Sequence, residues 1–138
     1  MIRLSIAVGP GARLVRQGLQ NLRAEVPKIG RQRIYETAER IMRKMQKYPP
    51  MRQGQRYTRT FRFRDSWKIR RLDNGSALTN SAPYAMYVVG NAYGQGQAWM
   101  HAGCWQSFRD VADAETEKLP KTIRESISMV ARRSFGGS

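Results

Sequence analysis

The chain is short of the residues that do chemistry. Its 138 residues include one cysteine and one histidine. Cys104 alone can form no disulfide within the chain, and a cysteine-based zinc site is excluded. Acids are scarce: 10 Asp and Glu stand against 25 Lys and Arg, a net charge of +15. None falls between Asn74 and Arg109, so His101, set between Trp99 and Trp105, has no nearby carboxylate to orient it and reads as a packing residue. No pair of carboxylates stands out. Residues 90–96, GNAYGQG, lack the Lys-Ser/Thr that ends a phosphate-binding loop. The sequence therefore offers no catalytic, metal or cofactor site. No apolar run approaches 18 residues, so no membrane span is expected. The amino terminus, MIRLSIAVGPGARL, lacks the continuous apolar stretch of a signal peptide. Synthesis and use without secretion are the expectation.

Cations, by contrast, are abundant, and they are unevenly placed. Residues 1–72 hold 19 Lys/Arg and 4 Asp/Glu, a balance of +15; residues 73–138 hold 6 and 6, a balance of zero. Between Arg40 and Arg71 lie 12 cations and one acid, Asp65. Like charges at that density repel one another and weaken a compact state unless a partner compensates them. The partner class is a polyanion or an acidic protein surface. The competing reading is a solvated face kept for solubility. An apolar content of 41 % with three Trp argues against disorder. The length suits a single domain over 1–138.

Periodicity gives the elements. Ile2, Leu4, Ile6 and Val8 alternate as in a half-buried strand, which Gly9-Pro10-Gly11 ends. Val15, Leu19, Leu22 and Val26 follow at helical spacing. Pro27 fits as the first residue of a second helix, carrying Ile34, Ala38, Ile41 and Met45, until Pro49-Pro50 stops it. From Tyr57 to Leu72 the chain reads as extended, or as two extended pieces with a bend. Phe61, Phe63, Trp67 and Ile69 lie on its odd positions, and Arg62, Arg64, Lys68 and Arg70 on its even ones. Asp73-Asn74-Gly75 is a hairpin signal through the positive φ angles of a type I′ turn, with residues 76–80 returning. Residues 81–90 form a short helix or strand, and residues 90–104 a long loop. A last helix starts near Gln106 on Phe108, Val111, Ala112 and Leu119, is kinked or divided at Pro120, and continues on Ile123, Ile127 and Val130. A tail frays from residue 134 to residue 138.

The cationic positions Arg62, Arg64, Lys68 and Arg70, joined by Arg52 and Arg56 from the preceding loop, form the first candidate site. With the aromatics turned to the core, these cations would meet phosphate or carboxylate without reading bases. The second site is the loop at 90–103. Its length suggests a role in contacts, and Tyr93, Trp99 and Met100 give it apolar surface suited to an adjacent subunit. Trp67, Tyr84, Tyr87 and Trp105 are expected in the core.

Three stretches carry a family resemblance: YPPMRQGQRYTRTFRFRDSW, LTNSAPYAMYVVG and QAWMHAGCW before a last helix. They resemble the small tail-component or neck proteins of long-tailed double-stranded-DNA bacteriophages. The matching positions are Tyr57, Arg59, Thr60 and Ser66, then Asn80, Pro83, Tyr84, Ala85, Tyr87 and Val88, then His101 and Trp105. The family has Gly and Leu where this chain has Phe61 and Phe63, which favours a continuous strand over a tight turn at Thr60. The match spans roughly residues 25–130. The resemblance implies an α+β fold in which a small, curved, mostly antiparallel sheet is packed by a long N-terminal helix and a C-terminal helix. It implies a non-catalytic virion protein, made in the host cytoplasm, that forms a ring, most often a hexamer. That ring would sit at the head–tail junction or the top of the tail, against connector, tail-terminator or tail-tube rings and around the genomic DNA. Six subunits of +15 would sum to +90, a charge that DNA or acidic neighbours must offset. A free-standing basic nucleic-acid-binding protein is the alternative.

Overall fold

A computed structural model describes residues 12–50 and 61–135, with side chains from residue 16. The strand expected at 2–8 and the loop carrying Arg52, Arg56, Tyr57, Arg59 and Thr60 lie outside the described residues. The architecture is α+β. In chain order it comprises α1 (Ala12–Met45), α2 (Arg62–Asp65), β1 (Trp67–Leu72), β2 (Gly75–Asn80), α3 (Ala85–Val89), α4 (Phe108–Glu117) and α5 (Leu119–Ser134). Among the described residues, no helix is long and apolar enough to cross a membrane.

The 34-residue α1 is the spine. At 1.5 Å per residue it is about 50 Å long. Pro27 lies inside it rather than at the start of a second helix. A proline there removes one i→i−4 hydrogen bond and crowds the preceding turn, so packing must hold the helix continuous, and α5 supplies it. The two run antiparallel: Phe135, just past the end of α5, lies against Gly18, and further along Arg33 Nε donates to Ser126 Oγ at 2.9 Å. A Cβ on Gly18 would sit 2.5 Å from the Phe135 ring. Phe135 keeps 44 % of its surface exposed, and residues 136–138 of the expected tail lie outside the described residues.

The C-terminal half of α1 faces the core. Ala38, Ile41 and Met45 are buried at spacings of three and four, one stripe of a 3.6-residue period. Ile41 and Met45 pack with Phe63, Trp67, Ala82, Ala85, Val88, Val89 and Val111, flanked by Leu78, Trp105 and Phe108. Aromatic rings form the centre. Trp67 stacks on Phe108 with centroids 5.6 Å apart, and Phe63 meets Trp67 and Trp105 edge-on at 5.7 and 5.5 Å.

The continuous strand expected over 57–72 is not formed. Residues 62–65 make one helical turn, and only from Trp67 does the chain become a strand. Phe61 takes φ +59°, ψ 14°, the left-handed conformation that sets the turn going, and Ser66 closes it by donating to the Arg62 carbonyl at 2.6 Å. Phe63 and Trp67 are four apart, so a helical turn brings both to the core as well as a strand would. Phe61 is left exposed. The β1–β2 pair is antiparallel, in the register Trp67↔Asn80, Ile69↔Leu78 and Leu72↔Gly75. Its two-residue loop is Asp73-Asn74. Neither residue has positive φ, so the turn is not type I′ and Gly75 already belongs to β2. Asn80 ties the hairpin to α2: its Nδ2 donates to the Phe63 carbonyl and its Oδ1 accepts from the Ala82 N–H, both at 2.9 Å.

Pro120 divides the last helix, standing in the first turn of α5, where its missing N–H costs nothing. One ion cluster locks α4 to α1. Glu115 is only 1 % exposed. It accepts hydrogen bonds from Lys44 Nζ and, at 3.1 Å, from Arg40 Nε, with Lys118 Nζ 3.7 Å away.

Candidate functional site: a cationic hairpin and an aromatic loop

The expected basic strip breaks into pieces. Arg52 and Arg56 lie outside the described residues. Arg62 and Arg64 stand on α2, and both are exposed; two residues apart on a helix, they point to different sides. Arg64 is already engaged. Its Nε donates to Asp65 Oδ1 at 2.9 Å, and its guanidinium lies 4.5 Å from the centre of the Phe61 ring. The Asp65 carboxylate pushes the Arg64 pKa up further, so its charge is permanent but partly answered locally.

Lys68 and Arg70 do share one face. They alternate with Trp67, Ile69 and Arg71 along β1, opposite Thr79 and Ala77 of β2. Trp67 is buried and Ile69 half-buried, whereas Lys68 and Arg70 are exposed, so their face of the hairpin is the one turned from the core. Neither makes an ion pair among the described residues. Arg71, which the alternation of cations and apolar residues passed over, belongs to the other face. Its guanidinium sits 3.9 Å from the centre of the Tyr35 ring on α1. The signal for it was helical: Arg31 and Tyr35 lie four apart on α1.

The loop between α3 and α4 is ordered by its own polar groups. Asn91 Oδ1 accepts from the N–H groups of Tyr93 and Gln95 at 2.9 Å each. Gln97 Nε2 donates to the carbonyls of Val88 and Trp105 at 3.0 and 3.2 Å. Arg109 donates to the Tyr93 carbonyl at 2.8 Å, and the Ala98 N–H to the Tyr87 carbonyl at 2.8 Å. Gly96 has φ +89°, and a Cβ there would sit 2.7 Å from Met86 Cγ. The frame is pinned while its large side chains face water: Trp99 is 85 % exposed, Tyr93 75 % and Met100 54 %.

Two expected core residues join this surface instead. Tyr84 and Tyr87 are exposed, Tyr87 by 56 %. On α3 the buried positions are Ala85, Val88 and Val89, at i, i+3 and i+4, so Met86 and Tyr87 must face outward. Trp67 is buried as expected and Trp105 partly so. His101 is half-buried, and its carbonyl accepts from the N–H groups of Cys104 and Trp105. Met86, Tyr87, Tyr93, Trp99 and Met100 thus give α3 and its loop five exposed apolar side chains.

Comparison with models of protein families, with curated proteins and with solved structures returns no match for this chain.

Proposed function

We propose that the chain is a ring-forming structural subunit of a tailed double-stranded-DNA bacteriophage. It stands at the head–tail junction or the top of the tail, joining head and tail around the path of the genome. The observation that carries this reading is the loop at 90–103. Its backbone is fixed by side-chain hydrogen bonds, yet Tyr93, Trp99 and Met100 project into water. A rigid frame presenting large apolar side chains suits a surface already shaped for a partner, because little ordering entropy is left to lose on contact. The family-like segments at Asn80, Pro83, Tyr84, Ala85, Tyr87 and Val88 stand beside that surface, which links the resemblance to subunit contact. The cations of the hairpin then serve the polyanion inside such a ring or an acidic ring next to it.

A head–tail joining assay tests the reading. Heads and tails from particles lacking this chain should join when the purified protein is added. A chain lacking residues 92–97 should stay folded and fail to join them. Normal joining by that deletion variant would remove the assignment of the loop. Lys68 and Arg70, without an ion pair among the described residues, favour the second reading, a free-standing nucleic-acid-binding protein. That protein would stay small in solution and bind DNA with a steep dependence on salt.

A further inference from the structure

At the tip of the hairpin a cleft of about 450 Å³ opens between α1 and the β1–β2 turn, lined by Arg31, Arg71, Leu72, Asp73 and Gly75. Two arginines line it. Arg71 lies over the Tyr35 ring, which holds the planar group by its face and leaves its N–H edge available. Arg31 is one turn before Tyr35 on α1. Among the described residues neither arginine donates a hydrogen bond or pairs with a carboxylate. Asp73 lines the same cleft without bridging to either. Directly across the ladder from Arg71 stands Ser76, whose hydroxyl is buried without a hydrogen-bond partner among the described residues and does not line the cleft.

We infer that Arg31 and Arg71 clamp a phosphodiester group of a nucleic-acid backbone in this cleft. Two guanidiniums and one carboxylate leave one net positive charge, which matches the single charge of a backbone phosphate. A phosphomonoester or free phosphate, carrying about −1.5 to −2, would meet the Asp73 carboxylate with an uncompensated charge. Arginine forks suit the paired oxygens of a phosphate. Lys68 and Arg70 on the opposite face of the same strand give the hairpin cations on both sides, so a backbone held at the tip remains near further positive charge. No base-reading group lines the cleft, and binding is independent of sequence. The inference names the ligand of the cationic hairpin within the reading above, but the clamp acts in a single subunit and needs no ring.

The test is fluorescence anisotropy of a short labelled DNA duplex with the full chain over a salt series, with subunit mass followed by light scattering. Arg31→Gln/Arg71→Gln should lower the slope of log affinity against log salt by about 0.9, the value for one phosphate no longer neutralised. At about 0.1 M salt the same slope corresponds to roughly 8-fold weaker binding. Lys121→Gln/Arg124→Gln, the same charge change on α5, should change the slope little. Arg31→Gln alone, at an exposed helix position, should lower it by part of that amount and guards against misfolding of the double variant. Equal losses in the two double variants would overturn the clamp. So would loss of binding to polyglutamate with DNA binding unchanged, which would assign the cleft to an acidic protein. Competition by inorganic phosphate as effective as that by DNA would overturn the phosphodiester assignment. A parent chain that stays monomeric while the double variant loses the slope would count against the ring reading and leave the clamp standing.

Discussion

Trp67 and Glu115 show how single residues hold this molecule. Trp67 touches Phe63 and Phe108 in the aromatic centre, and replacement by Ala should cost about 3–5 kcal/mol. Its indole N–H is buried without a partner, so Trp67→Phe removes an unsatisfied donor as well as volume and should cost far less; chemical denaturation of the two variants compares them. Glu115 is the opposite case, a buried charge with partners on α1. Arg40 and Lys44 remain 41 and 43 % exposed, so on Glu115→Gln they regain water. The loss should be about 1.5–3 kcal/mol, the range for hydrogen bonds to charged groups, and below that for a fully buried pair. The Lys44 hydrogen bond, aided by Arg40 and opposed by burial, holds the Glu115 carboxyl below its ordinary value of 4.5. Its folded pKa is depressed. Its contribution is therefore complete above the ordinary value and is lost as pH falls through the folded value. Thermal melts should show the parent losing stability below about pH 4.5, with Glu115→Gln losing less over the same range. This carboxylate was invisible in the sequence, because nothing local marks an acid whose partners are 71 and 75 residues away. Tyr84 and Tyr87 misled for a related reason: aromatic character argues for burial, but the helical phase of Ala85, Val88 and Val89 decides it.

At the scale of elements, the helices were legible wherever the apolar period ran unbroken, as on Ile34, Ala38, Ile41 and Met45. The error at Pro27 came from a local rule that α5 overrides. A Pro inside a helix costs about 3 kcal/mol relative to Ala. Pro27→Ala should therefore stabilise the chain, raising the midpoint of denaturation; a neutral or lower midpoint would fit two helices meeting at Pro27. The hairpin was readable in place but not in turn type, since the register puts Gly75 in β2. The break at Phe61 was hidden because Phe63 and Trp67 satisfy both the strand and the helical period. In the loop, Gly96→Ala meets positive φ and the Met86 side chain together. It should disturb the exposed surface of Tyr93 and Trp99 and weaken self-association more than it lowers the melting temperature. Equal assembly by the parent and by Gly96→Ala would show that the loop frame is not used.

Across the whole molecule, most cations and the exposed aromatic side chains of α3 and its loop are separated along the sequence. The cations crowd the first 72 residues, where 19 of the 25 lie, and the exposed aromatic side chains of the loop and α3 lie after them. The amino-acid order shows this division directly; it does not show which cations line one cleft, because Arg31 and Arg71 are 40 positions apart in the sequence and are brought to the same cleft only by the packing of α1 on the hairpin. On the proposed reading the loop meets protein and the hairpin meets a polyanion, the combination that a ring enclosing DNA requires. The most direct measurement is the mass and shape of the purified chain across a concentration series, by analytical ultracentrifugation with electron microscopy of the largest species. The account predicts concentration-dependent assembly into closed rings, lost on Trp99→Ser with the fold retained. A chain that stays monomeric at every concentration, binds DNA in that form and is indifferent to Trp99→Ser would contradict it.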